Sequence, residues 1–218
     1  MDDLTICRAT PAAFSIEPEM LAALLGSRLC HDLVSPLGAI GNGLELLEVS
    51  GDFPGIAKSG EMMLIAESLE AARARIRCFR LAFGHAAPDQ RLGMAEIGAV
   101  LADAEKGGRL RLRLEAEGDL PRSEGRMILL ALMCLENAMP WGGSVLVCRG
   151  AQGWRLVAEA SRTKPDPALW SWLDAEPPRD RPFPGPSEVQ FLLLGGFARS
   201  ENRRLGWDLD ETGGEISF

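Results

Sequence analysis

Apolar residues return every three or four positions through most of residues 21–83, in two long stretches, and that period leaves room for little except two long helices. In the first stretch Leu21, Leu25, Leu29, Leu33, Leu37, Ile40, Leu44 and Leu47 make one continuous face. They predict a helix from about Glu17 to Glu48. The turn-forming "SGDFPG" of residues 50–55 ends it. In the second stretch Met62, Ile65, Leu69, Ala72, Ile76, Phe79 and Phe83 alternate steps of three and four, a heptad seam, and predict a helix from about Ala57 to Phe83. Two helices on a short turn form an antiparallel hairpin, which cannot cover its own seam alone. The expected solution is a second copy of the chain: a homodimer with an intermolecular four-helix bundle.

His31 stands in the middle of the first helix, two residues from both Leu29 and Leu33. At 100° per residue it points about 180° away from that pair, toward solvent. Ser27, Arg28, Ser35, Gly38 and Asn42 share its side of the helix. That side is small and polar, with room for another protein to approach. No His, Asp, Glu or Cys lies three or four residues from His31, so a metal ligand set is not expected there. Either His31 is a chance surface residue or it is a nucleophile. Asp32, on the shoulder of the leucine face, could hold one ring nitrogen as N–H and leave the other with a free lone pair. Pro36 has no N–H for the carbonyl of residue 32 and crowds it, at a cost of about 3 kcal/mol relative to alanine. A bend that shapes the surface near His31 is expected. The other faces of the second helix carry Arg73, Arg75, Arg77 and Arg80, which read either as a solvated face or as a docking surface for an acidic partner.

Residues 84–93 have linker composition, which divides the chain into residues 1–86 and 92–218. The second part has a mixed α/β pattern. It predicts a helix over Ala95–Glu105, a half-buried strand over Arg109–Glu117, an apolar helix over Glu124–Ala138 and paired strands over Val145–Arg149 and Trp154–Ala160. Seven of the 14 prolines fall between Ser161 and Ser187, which excludes regular sheet there. A helix over Glu188–Arg199 and a strand over Glu215–Phe218 close the chain. A net charge of −8 argues against nucleic acid as a partner. No apolar run is long enough to span a bilayer, the start lacks a basic signal region, and the five scattered cysteines suit free thiols in a reducing cytoplasm.

"HDLVSPLGAI", residues 31–40, resembles the phosphoacceptor motif of two-component histidine kinases. The longer "SRLCHDLVSPLGAIGNGLELL", with "RLAFG" ending the second helix, is more narrowly similar to ChpT-type histidine phosphotransferases of alphaproteobacteria. The resemblance implies a dimeric four-helix bundle followed by an α/β sandwich shaped like a kinase ATP-binding domain but without ATP activity. It implies that His31 accepts a phosphoryl group from an aspartyl phosphate on one receiver domain and passes it to another. Asp32 would assist the imidazole, and Pro36 would shape the docking helix. The implied partners are a hybrid sensor kinase upstream and response regulators downstream. The receiver would bring its own Mg²⁺, so neither a metal nor another cofactor is expected on this chain. An imidazole, with a reference pKa of about 6.5, is mostly neutral and nucleophilic near pH 7. Phosphoryl transfer then asks mainly for in-line positioning and charge neutralisation. Arg28 could meet the receiver or the phosphoryl oxygens.

A working kinase needs two nucleotide elements in this part of the chain. "LENAMPWGG", residues 135–143, looks like a relic of the helical asparagine element, with Glu136 and Asn137 in place. After the strand ending at Ala160 the chain reads "SRTKPDP", with no Asp-x-Gly-x-Gly loop, and no phosphate-binding glycine motif occurs elsewhere. A phosphorelay carrier is the leading expectation. An autophosphorylating kinase core and a non-catalytic dimerisation module that binds response regulators are the rivals.

Overall fold

A computed structural model describes residues 18–50, 53–85, 87, 89–178 and 180–218. Cys7 lies outside them, as does Glu17, the expected start of the first helix. Helix α1 spans Pro18–Val49 without a break, with Pro36 inside it. A short 3-10 turn over Ile56–Lys58 precedes helix α2, Gly60–Phe83. The second helix therefore starts three residues later than its apolar period suggests. Ser59 sets the start, because its Oγ accepts from the Met62 N–H at 3.1 Å and satisfies a donor left free by the first turn.

The two helices pack through small residues on α1. Ala23, Cys30 and Gly41 are buried. A Cβ on Gly26 would stand 3.1 Å from the carbonyl oxygen of Phe83, and a Cβ on Gly41 would strike the Arg73 guanidinium. Arg73 closes that contact by donating to the Leu37 carbonyl at 3.2 Å and to Glu70 at 2.6 Å. The leucine face is turned elsewhere. Leu25, Leu29, Leu33 and Ile40 are each half or more exposed, and Met63, Leu64 and Ile65 of α2 are exposed as well.

The remainder is a layer of helices on a mixed sheet. Strand β1 (Arg91–Gly93) pairs antiparallel with β3 (Asp119–Pro121) as a small separate ribbon. Helix α3 is Met94–Gly107, β2 is Leu110–Glu115, and α4 is Arg122–Ala138. Strands β4 (Gly143–Gly150) and β5 (Gly153–Glu159) form a hairpin. The proline-rich stretch holds a one-turn helix, α5 (Pro167–Trp170), and further 3-10 turns; helix α6 (Val189–Ser200) follows. Strands β6 (Gly206–Leu209) and β7 (Gly213–Ser217) finish the main sheet, whose order is β2-β4-β5-β7-β6 with only β2 and β4 parallel. Residues 84–93 are thus not linker throughout, since their last three form β1; β3 and β6 also lie where no strand was expected. The closing strand begins at Gly213, two residues before the expected Glu215.

Helix α4 is buried nearly all round because it is the centre of the core. Ile128, Leu130, Ala131 and Leu135 are fully buried among Val145, Val147, Leu156 and Ile216 of the sheet and Phe191 and Leu194 of α6. Leu81 and Ala82, in the last turn of α2, belong to the same cluster, so the hairpin and the sheet layer share a core. One carboxylate sits inside it. Glu124 accepts from Trp154 Nε1 at 2.7 Å and from Arg203 at 2.8 Å, and these partners, with Arg149, hold its carboxyl below the usual range despite its burial. Truncating Leu130 to alanine should lower stability by about 2–5 kcal/mol, read as a drop in the urea midpoint with an unchanged slope.

Candidate functional site

His31 projects from the middle of α1 with its side chain 82% exposed. Its Nδ1 lies 3.2 Å from Asp32 Oδ1, and the other oxygen of Asp32, Oδ2, accepts from Arg28 Nε at 2.8 Å. The hydrogen bond from His31, ahead of the charge of Arg28, holds the Asp32 carboxyl below its ordinary pKa. An ionised carboxylate only accepts, so Nδ1 carries the ring proton. In the neutral ring Nε2 then holds the lone pair, on a side chain that is largely exposed. Arg28, Asp32 and His31 form a short chain in which each member orients the next.

The other residues singled out by sequence divide into three groups. Ser35, Asn42 and half-buried Gly38 share the His31 side, within about 40° of it round the helix, and Gly38 has open space where a Cβ would be. Ser27 is half-buried and turned to the hairpin's open end, where its Oγ accepts from the His85 N–H at 2.8 Å. Pro36 is exposed but sits about 140° round the helix from His31, beside the leucine face. No three His, Cys, Asp or Glu side chains gather into a metal ligand set among the described residues. The cysteines described are free thiols: Cys30 and Cys134 are buried, Cys78 and Cys148 partly so.

On the His31 side, the two helices leave a groove of about 410 Å³ between them, lined by Val34, Gly38, Arg73, Ile76, Arg77 and Arg80. Arg73, Arg75, Arg77 and Arg80 read from sequence either as a solvated face or as a docking surface for an acidic partner. Arg77 pairs with Asp103 of α3 at 2.7 Å, and Arg75 lies 5.7 Å from the centre of the Phe79 ring. Glu136 and Asn137 are remote from this groove. They line a cleft of about 910 Å³ between α2, α3, α4 and the Pro186–Gln190 segment, alongside Phe79, Leu129, Leu132 and Met133.

The model of the histidine phosphotransferase C-terminal domain matches residues 94–213, more than half of the chain. The chain belongs to the histidine phosphotransferase family. The family match covers the helix-and-sheet layer, whereas His31 lies in the hairpin before it. The protein phosphotransferase ChpT of Brucella abortus is 39% identical over an alignment of 135 residues that covers 58% of this chain and 59% of the relative's length. A solved bacterial phosphotransferase superposes over 93% of this chain and 98% of its own, with a TM-score of 0.64 and 24% identity. This phosphotransferase fold therefore includes the hairpin as well as the sheet layer. No described helix is long and apolar enough to cross a membrane.

The hydrogen-bond chain makes a spectroscopic prediction. Long-range ¹H–¹⁵N spectra at pH 8 should show His31 mainly as the Nδ1–H tautomer, and Asp32→Ala should shift it toward Nε2–H, the form free imidazoles favour. An unchanged ratio in the variant would show that the carboxylate does not set the tautomer.

Proposed function

We propose that this chain is a phosphorelay carrier, working as a homodimer in the cytoplasm. His31 takes a phosphoryl group from an aspartyl phosphate on the receiver domain of a hybrid sensor kinase and hands it to response-regulator receivers. The observation that carries the reading is the exposed imidazole with Nδ1 held by Asp32 and Nε2 free. In the accepting step the Nε2 lone pair attacks phosphorus in line, forming an N–P bond. The acyl P–O bond breaks, and its electron pair leaves with the receiver's aspartate as a carboxylate. The proton stays on Nδ1, and the adjacent Asp32 carboxylate offsets the positive charge the ring acquires. The donating step runs the same bonds in reverse on a second receiver. Mg²⁺ belongs to the receiver in both steps, and the carrier itself contributes position and a tuned ring.

Dimerisation supplies a use for the outward leucines. Leu25, Leu29, Leu33 and Ile40 make an apolar stripe too long to leave in water, and the same stripe on a second copy would bury it as a four-helix bundle. His31 lies about 170° from the middle of the stripe, so pairing there leaves it open to visitors. ATP plays no part in this reading. The chain after β5, where a kinase has its nucleotide loop, is instead tied to the β6–β7 turn: Thr163 N–H donates to the Glu211 carbonyl at 2.8 Å and its hydroxyl donates to the Asp210 carbonyl.

Incubation with radiolabelled ATP alone should leave the protein unlabelled, while phosphorylated receiver domains should transfer acid-labile phosphate to it. Labelling by ATP without a donor would support the autokinase rival. His31→Ala should abolish transfer with the fold retained, and Asp32→Asn should slow it by about 100-fold. Signalling that stays intact in His31→Ala would support the binding-module reading. Leu29→Glu with Leu33→Glu should convert the dimer to monomer in sedimentation experiments.

A further inference from the structure

We propose that Arg80 and Arg122, one from each layer of the molecule, form a cationic clamp that binds a carboxylate on the surface of the docking receiver. The inference rests on reading His31 as the acceptor for a receiver. Three of the four arginines on α2 are already engaged, with Glu70, with Asp103 and over Phe79. Arg80 is exposed and has no side-chain partner among the described residues. It lines the groove on the His31 side together with Val34, and its charge acts on the thiol of Cys30, the residue before His31.

Arg122 meets Arg80 from the other layer. It opens α4, is half-buried, and donates to the Arg80 backbone carbonyl at 3.1 Å; its Nε is buried without a partner. One turn further along α4 stands Arg126, 94% buried by its 6% exposure. Its guanidinium carbon lies 4.2 Å from the centre of the Phe197 ring, and its Nε and one terminal nitrogen have no hydrogen-bond partner. Burial, then the charge of Arg122, pulls the Arg126 pKa down to about 10. Burial and the charge of Arg80 lower Arg122 likewise, with Glu96 as the acid that opposes the shift. No ion pair joins any of the three to a carboxylate among the described residues. The one carboxylate inside this part of the core, Glu124, is taken by Arg203 and Trp154.

Three guanidinium groups in a row repel each other, and partial burial makes each more costly to keep charged. An arriving anion removes that cost, and Arg offers a forked donor edge matched to a carboxylate. The partner's chemistry follows from charge. This chain carries −8 overall, so an acidic receiver is repelled at long range and needs a local cationic patch to dock in register. The patch spans the junction of hairpin and sheet layer. It gives the sheet layer a part in transfer that involves no nucleotide.

The test uses the full-length dimer and a phosphorylated receiver domain from the same organism that transfers to it. Transfer is followed at receiver concentrations below saturation, in 50 and 300 mM salt. Arg80→Glu should slow transfer by about tenfold or more at low salt and flatten the salt dependence. Arg122→Gln should slow it several-fold, and Arg122→Lys, which keeps the charge without the fork, should recover part of the rate. Arg80→Ala, an exposed and mild change, covers the case in which the charge reversal disturbs folding, and should slow transfer by about threefold or more. Arg80→Glu and Arg80→Ala both as fast as wild type, with the same salt slope, would overturn the clamp and leave the carrier reading standing. Competition by millimolar inorganic phosphate, with the receiver still bound, would overturn it in favour of a free-anion site. If no receiver phosphorylates His31 of the wild-type chain at all, the carrier reading falls, and the clamp with it.

Discussion

The close approach of α1 and α2 through small side chains decides what the rest of the molecule can present. Gly26 lets α1 reach the backbone of α2 at Phe83, and Gly41 leaves the space that the Arg73 guanidinium fills. With Ala23 and Cys30 between them, these residues turn one stripe of α1 inward. A helix has only about 360° to share out, so the other faces follow. The leucines stand about 80° to one side of that stripe and His31 about 110° to the other. A larger residue at Gly26 would push the helices apart and disturb all three faces together.

The second fixed point is α4. Because the last turn of α2 is packed into the core that α4 organises, the hairpin is held against the sheet layer. The His85 N–H donating to Ser27, and Arg122 donating to the Arg80 carbonyl, tie the same junction with polar contacts. This is where the layer matched to the phosphotransferase family meets the hairpin that carries His31. Of the arginines at that junction, Arg80 lines the groove on the His31 side.

The helices, their antiparallel pairing and the outward His31 were legible in the sequence because a period of 3.6 is a strong signal over thirty residues. The seam used within one chain was not, since Ala23, Gly26 and Gly41 have almost no hydropathy to read and matter for what they leave out. The leucine face, expected to need a second copy of the chain to cover it, is the face the hairpin leaves exposed. Strands β1 and β3 have three residues each, too few to show alternation, and β6 begins at a glycine after a run of charged residues. The hydrogen-bond chain from Arg28 through Asp32 to His31 was half visible: the carboxylate was expected to assist the ring, while Arg28 was expected to face a visitor. Arg122 carries no motif. It became noticeable only when folding set it against Arg80 with no acid between them.

The account turns on His31 being open to a visitor while the leucines are covered by a second copy. Diethyl pyrocarbonate, which acylates unprotonated imidazole, reads that directly when it is applied to the intact protein and followed by mass spectrometry of the two histidine peptides. The account predicts that His31 reacts as fast as a free imidazole in the dimer, and that loss of phosphate acceptance tracks modification of His31 rather than His85. Protection of His31 in the dimer, or full acceptance after its modification, would contradict it.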